Sequence, residues 1–258
     1  MAGTASARYD RPMAVHDLTS QRLFVAFDLA AGAEVACLAE QAHYLRSVLR
    51  IADGTPLLAF NGRDGEWRAI ARHDGKRGVV LHVETKSRPQ VDGPDIDYLF
   101  APLKRSRLDY LVQKATEMGV RRLTPVITRR TIAERVNGER MRANAIEAAE
   151  QCGVLRVPEV DIPRKLDDVL AGLDARRLLI FCDEAAVHAN PIDVLRALPR
   201  GPFAVLIGPE GGFAPEERER LLAAPFVTAI SLGPRILRAD TAAVAALALV
   251  NVALGDWG

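Results

Sequence analysis

The stretch Ala204–Phe213, AVLIGPEGGF, decides how the chain is read. An apolar run leads straight into Gly208-Pro209-Glu210-Gly211-Gly212, and Ala214-Pro215-Glu216-Glu217 then opens a helix. A short, continuously apolar run is what a strand covered on both faces needs, and such strands belong to parallel sheets. The glycines tolerate positive φ and let a ligand approach the backbone closely. Loops at the C-terminal ends of parallel strands are where α/β sheets bind ligands. The stretch therefore predicts an α/β domain, and taken alone it fits a backbone-lined ligand site and a tight strand-to-helix turn without a ligand equally well.

Downstream, Ala229–Thr241 (AISLGPRILRADT) repeats the arrangement, with Gly233-Pro234 echoing Gly208-Pro209. Loops from successive strands can wall one narrow slot. Backbone N–H and C=O groups, with Leu206, Leu232, Ile236 and Leu237, would suit an adenosine: edge hydrogen bonds and apolar packing. No GxxxxGK[ST] occurs, which excludes a P-loop, and no GxGxxG follows the first strand of a βαβ unit. Glu210 would repel phosphates inside the loop. Asp240 and Thr241 sit where a helix N-cap is expected, and capping is their plainer role.

Outward from the loops, the rhythm from Ile96 is strand, helix, strand. Strands are predicted at Ile96–Ala101, Leu123–Ile127, Arg177–Cys182, Phe203–Ile207 and Val227–Leu232. Helices are predicted at Ser106–Met118, Arg140–Cys152, Pro215–Ala223 and Thr241–Leu254. This alternation marks an α/β domain with a mostly parallel sheet. Before it, Ser87–Asp95 (SRPQVDGPD) reads as a linker. Residues 22–86 show an apolar run at Arg22–Asp28, helical spacing over Ala39–Leu49, and strands at Pro56–Phe60, Glu66–Arg72 and Gly78–Glu84. Turns at Asn61-Gly62, Asp64-Gly65 and Asp74-Gly75 complete a pattern that predicts a small barrel-like β domain. Residues 1–21 read as a flexible leader without the apolar core of a signal peptide.

The chain has 258 residues and a formal net charge of +1, so a nucleic-acid partner would have to be recognised by a local patch. One stretch qualifies. Between Ala101 and Arg142 there are eleven Lys/Arg against four Asp/Glu, an excess of seven positive charges. Such an excess is a phosphate-binding footprint, although ion pairs and solvated helix faces would account for part of it. Cys37, Cys152 and Cys182 are far apart, and the five histidines show no ligand spacing. No metal site or disulfide framework is expected, and a cytoplasmic protein is. The longest apolar stretch, Ala242–Leu254, is too short to span a bilayer.

With these motifs in order, the chain resembles the RsmE family, SPOUT methyltransferases acting on 16S ribosomal RNA. IGPEGGF followed by LGPRILRADTA carries the likeness. Further matches are His43 with Val48-Leu49-Arg50 and Gly54, and Lys104, Asp109, Gln113-Lys114, Glu117 and Gly119 leading to a TEMGV segment. Glu150-Gln151-Cys152-Gly153 with Arg156-Val157-Pro158 adds another. Two positions depart from the family pattern: Val154 replaces a common arginine, and Asp240 replaces a common glutamate while keeping the carboxylate.

The resemblance implies an N-terminal PUA-like β-barrel over 22–88 and a C-terminal SPOUT α/β domain over 96–258 with a deep trefoil knot, acting as a homodimer. It implies S-adenosylmethionine as cofactor and methylation of N3 of uridine 1498 in 16S ribosomal RNA, within the small ribosomal subunit. The cofactor set it implies is Glu184, Leu206, Ile207, Gly208, Pro209, Glu210, Gly211, Gly212, Leu232, Gly233, Ile236, Leu237, Arg238 and Thr241. For departure of the N3 proton, Arg238 and then Arg22 are the candidate cations, and Asp240 is a candidate base. RNA contacts are expected from Arg46, Arg50, Lys104, Arg105, Arg107, Lys114, Arg129, Arg130 and Arg156. His43 reads as structural. Competing readings are a SPOUT enzyme with another RNA target, a non-catalytic RNA-binding protein, and a small-molecule binder disfavoured by the basic stretch.

Overall fold

The computed structural model describes residues 20–132, 135–186 and 189–257. The leader expected over 1–21 lies outside these except for its last two residues. The chain divides into two compact units, one of residues 1–60 and 64–89, the other of residues 61–63 and 90–258.

The first unit contains β1 (Arg22–Phe24), β2 (Glu34–Ala36), α1 (Ala39–His43), β3 (Thr55–Phe60), β4 (Glu66–Asp74) and β5 (Gly78–Arg88). Its sheet runs β1-β3-β4-β5-β2, with β1 parallel to β3 and the other pairs antiparallel. In β4, Trp67, Ala69 and Ala71 are buried while Arg68 and Arg72 are exposed, the two-residue period of a half-buried strand. Those residues join Leu23, Leu57, Ala59, Val79, Leu81 and Val83 in one core. The pairing of β4 with β5 shifts register at Glu66/Trp67 and Arg68/Ala69, an irregularity that bends a sheet.

Two expectations change here. The regular helix predicted over Ala39–Leu49 is α-helical only through His43, then widens into a π-helical turn at Tyr44–Val48. It ends at Arg50, whose φ of 53° makes it left-handed. In addition, β5 continues through Arg88 and takes the first two residues of the expected linker.

The second unit contains β6 (Ile96–Phe100), α2 (Arg105–Glu117), β7 (Arg122–Ile127), α3 (Gly138–Cys152), β8 (Glu159–Val160), β9 (Arg164–Lys165) and α4 (Leu166–Ala171). It continues with β10 (Leu178–Cys182), α5 (Pro191–Arg196), β11 (Phe203–Ile207), α6 (Pro215–Ala223), β12 (Val227–Ile230) and α7 (Ala239–Ala253). The strands are parallel in the order β12-β10-β11-β6-β7-β8, with β9 also beside β7.

Side chains of β11 alternate between two cores. Phe203, Val205 and Ile207 pack with residues of α2, α3 and α7, and Ala204 and Leu206 pack with residues of α4 and α6. Both faces are covered, as the uninterrupted apolar run requires. At the N-terminal ends of the strands, the buried Arg177 pairs with Asp95 and Asp97 and donates to the Phe203 carbonyl at 2.8 Å. Among the described residues no helix is long and apolar enough to cross a membrane.

Candidate functional site

β10 lies between β11 and β12, so the loops leaving their C-terminal ends stand side by side. Neighbouring strands are about 4.8 Å apart, which sets the two glycine loops about 10 Å from each other across the loop after β10. Residues 208–213, 183–186 and 231–238 thus leave the same end of the sheet from three adjacent strands.

Each glycine loop is shaped by its glycines. Gly212 has φ +66°, and a Cβ there would lie 2.5 Å from Glu184 Oε1. A Cβ on Gly208 would lie 2.5 Å from the Phe213 ring. In the loop after β12, Gly233 has φ +104° and faces open space, with nothing within 4 Å of where a Cβ would stand. Gly233 is exposed, and its N–H donates to Ser231 Oγ at 3.3 Å. Leu232 and Leu237 pack partly on the core beneath this loop, whereas Ile236 is 96% exposed. Leu206 is fully buried against the opposite face, so its side chain serves the core.

The loop after β10 is held by a pair absent from the sequence-based candidates. Asp183 is buried, accepts from Arg218 Nη2 at 2.8 Å and Nε at 3.0 Å, and also takes the Ala185 N–H at 3.2 Å. Asp183 could have been suspected, since it follows an apolar strand just as the glycine loops do. Burial pushes the Cys182 thiol up to about 12, which removes it as a nucleophile.

Another loop, after β7, braces the glycine loop after β11. Thr128-Arg129-Arg130-Thr131 closes on itself, with Thr131 Oγ1 accepting the Thr128 N–H at 2.9 Å. From this turn Arg130 Nη1 donates to the Gly211 carbonyl at 2.8 Å, and Arg129 Nη1 pairs with Glu216 at 2.8 Å. Glu217, buried at the start of α6, accepts the Arg129 N–H at 2.8 Å and the Ala214 N–H at 3.0 Å. From α2, Arg107 Nη1 reaches Glu210 Oε1 at 2.9 Å. No group of three or more His, Cys, Asp or Glu among the described residues could hold a metal.

The comparisons with known proteins agree in one direction. Residues 91–251 match the model of an RNA methyltransferase domain, and residues 39–84 match that of an RNA methyltransferase PUA domain. Ribosomal RNA small subunit methyltransferase E of Rickettsia conorii is 30% identical over 233 residues, spanning 90% of this chain and 95% of that protein. The chain belongs to the ribosomal RNA small subunit methyltransferase E family. A crystal structure of the Neisseria gonorrhoeae enzyme of that name, bound to S-adenosyl methionine, superposes with a TM-score of 0.82 at 26% identity, covering 93% of this chain and all of that one. A Legionella pneumophila methyltransferase in complex with the same cofactor gives 0.80 at 29% identity, covering 92% and 99%.

The other residues expected in this family member's site are dispersed. Arg238, Asp240 and Thr241 stand at the start of α7, with Arg238 65% exposed and its Nε 4.0 Å from Asp240 Oδ1. Asp240 Oδ1 takes the Thr241 N–H at 3.0 Å. Arg22 belongs to the first unit, where it is buried and its Nε donates to Glu66 Oε2 at 3.1 Å. That ion pair gives Arg22 a structural task within its own unit.

Among the expected RNA contacts, Lys104, Arg105, Arg129 and Arg130 are exposed at the C-terminal end of the sheet. Arg50 is exposed in the first unit. Arg46 is engaged by the carbonyls of Gly75 and Gly78, at 3.0 and 3.1 Å. Lys114 is paired with Glu117 at 2.7 Å. Arg156 is tied to the carbonyls of Pro94 and Gly119, at 2.6 and 2.9 Å, and burial lowers its pKa. Arg121, Arg122 and Arg140 are likewise paired with acids. Much of the basic excess is thus paired within the fold, and Arg107, Arg129 and Arg130 reach the glycine loop.

Proposed function

We propose that this protein is an S-adenosylmethionine-dependent methyltransferase that modifies N3 of a uridine, position 1498 by family resemblance, in 16S ribosomal RNA of the small subunit. The observation that supports the reading is the glycine geometry: Gly212 and Gly233, both with positive φ, sit in loops at the same end of the sheet, with Glu184 Oε1 2.5 Å from where a Gly212 Cβ would stand. Missing side chains leave backbone donors and acceptors bare, which suits the edges of an adenine and the hydroxyls of a ribose. In this reading Glu184, Leu206–Gly212, Leu232, Gly233, Ile236, Leu237, Arg238 and Thr241 hold the cofactor, which brings a methyl group activated by its sulfonium.

The chain's own part is alignment and charge. The braced glycine loop fixes the acceptor's approach, and alignment of this kind can contribute about 7–11 kcal/mol at best. Arg238, at the same end of the sheet, stabilises the uracil as its N3 proton leaves, and Asp240 receives the proton or orients Arg238. Lys104, Arg105, Arg107, Arg129 and Arg130 receive the RNA backbone, and Arg50 adds a contact from the PUA-like unit. The same reading includes a trefoil knot, a homodimer and work in the cytoplasm on the ribosomal subunit. Calorimetric titration of S-adenosylmethionine, with mapping of modified uridines in ribosomal RNA from cells with and without the protein, tests it. No cofactor binding, or an unchanged uridine map, would sink it.

A further inference from the structure

Arg107, Arg129 and Arg130 come from two separate elements and converge on one short segment, residues 210–216. Each is met there by an oxygen of that segment: Arg107 by Glu210, Arg129 by Glu216, and Arg130 by the Gly211 carbonyl. Three guanidiniums meeting one short segment concentrate charge-assisted donors there, and a phosphate oxygen can take the place of a carboxylate oxygen as their acceptor. The carboxylates are tethered and local. Arg129 and Glu216 are each 61% exposed, and Glu210 is 48% exposed, so both pairs are weak and readily exchanged in water.

We infer that these three arginines are a docking row for RNA backbone phosphates, and that Glu210 and Glu216 occupy it as built-in phosphate mimics until RNA displaces them. This rests on the RNA-directed reading above and adds a restraint on it. Glu210 thereby acts on Arg107, outside the adenosine contacts expected of it. With the row masked, loosely bound RNA gains little from the arginines. An RNA that supplies phosphates at the right spacing exchanges partners and leaves the two carboxylates to solvent.

The test is anisotropy of a fluorescein-labelled oligouridylate against wild type, Glu210→Gln, Glu216→Gln, Arg129→Gln and the Glu216→Gln/Arg129→Gln double variant, over a salt series. Circular dichroism checks that each is folded. Each Glu→Gln variant should bind about threefold more tightly at low salt, and its plot of log K against log salt should steepen by about 0.7, one phosphate contact on a single strand. The gain from Glu216→Gln should vanish when Arg129 is also replaced. If that gain persists in the Arg129→Gln background, it reflects long-range charge and the masking falls. Affinities and slopes equal to wild type would overturn it too. If none of the proteins binds RNA, the RNA-directed reading fails along with it.

Discussion

The carboxyl group of Glu217 accepts the backbone N–H of Arg129 at 2.8 Å, joining two loops 88 residues apart in the chain. Its other oxygen takes the Ala214 N–H, so one buried side chain ties the start of α6 to the turn after β7. Removing it strands the buried Ala214 N–H and the part-buried Arg129 N–H. Bonds to charged groups are worth roughly 1.5–3 kcal/mol each. Glu217→Ala should therefore lower stability by about 3 kcal/mol in urea unfolding, with Glu217→Gln recovering part of it. A midpoint unchanged by Glu217→Ala would show that the brace is not needed for folding.

Gly212 provides a second test, on binding. Its φ of +66° is strained for any other residue, by about 1–2 kcal/mol, and an added Cβ would strike Glu184 Oε1. Gly212→Ala should weaken S-adenosylmethionine binding at least about tenfold by calorimetry, since a cost above 1.4 kcal/mol in the bound geometry is a factor of ten. Pairing it with Glu184→Ala removes the collision but not the backbone strain, so recovery should be partial. Full recovery would mean that the left-handed conformation is dispensable.

How far the sequence could be read follows from where its information lies. Strands such as Phe203–Ile207 announced themselves because both faces are covered and the run stays apolar. Glu34–Ala36, in which only Val35 is buried, and the two-residue strands β8 and β9 leave no such pattern. The two glycine loops at the C-terminal ends of β11 and β12 were legible because an apolar run leads straight into each. The Asp183–Arg218 pair and the contacts of Arg129 and Arg130 with residues 211–217 were not, since they join segments distant in the chain. Arginine was the least legible residue. Arg22, Arg156 and Arg130 look alike in a sequence, yet they hold a buried carboxylate, two carbonyls of the fold and the glycine loop.

The Arg22–Glu66–Arg88 cluster sets a pH dependence. Glu66 is held by Arg22 at 3.1 Å and by Arg88 at 2.7 Å, with its side chain almost wholly buried. Burial pushes its carboxyl up, but Arg88 and Arg22 outweigh that, and the net effect is a pKa below the ordinary value. A group depressed in the folded state adds stability above its unfolded pKa, about 4.3 for glutamate, and loses it as pH falls through the folded value. Glu66→Gln should cost about 3 kcal/mol at pH 7 by removing the buried negative charge that Arg22 and Arg88 pair with. Melting curves should show the gap from wild type shrinking below about pH 4. A gap that stays constant into acid would refute the ionised cluster.

Arg238 is the sharpest test of the chemistry, because its position makes little sense as a stabiliser. It is the residue preceding α7, its side chain makes no capping bond, and it is largely exposed. A cation at a helix N-terminus opposes the helix dipole, by about 0.3–1 kcal/mol at an exposed site. Asp240, two residues on, is the favourable charge there and takes the Thr241 N–H. Arg238→Ala should thus leave the melting temperature unchanged or slightly raised. Single-turnover methyl transfer should fall by about a hundredfold or more, the scale of losing a preorganised charge from a transition state. Cofactor affinity should stay within about twofold, a change under 0.5 kcal/mol. Arg238→Lys, which keeps the charge but not the planar fork, should fall between the two. If Arg238→Ala transfers methyl at the wild-type rate, the cation that lets the proton leave must be another residue; if it loses cofactor affinity and rate together, Arg238 belongs to cofactor binding and not to the chemistry.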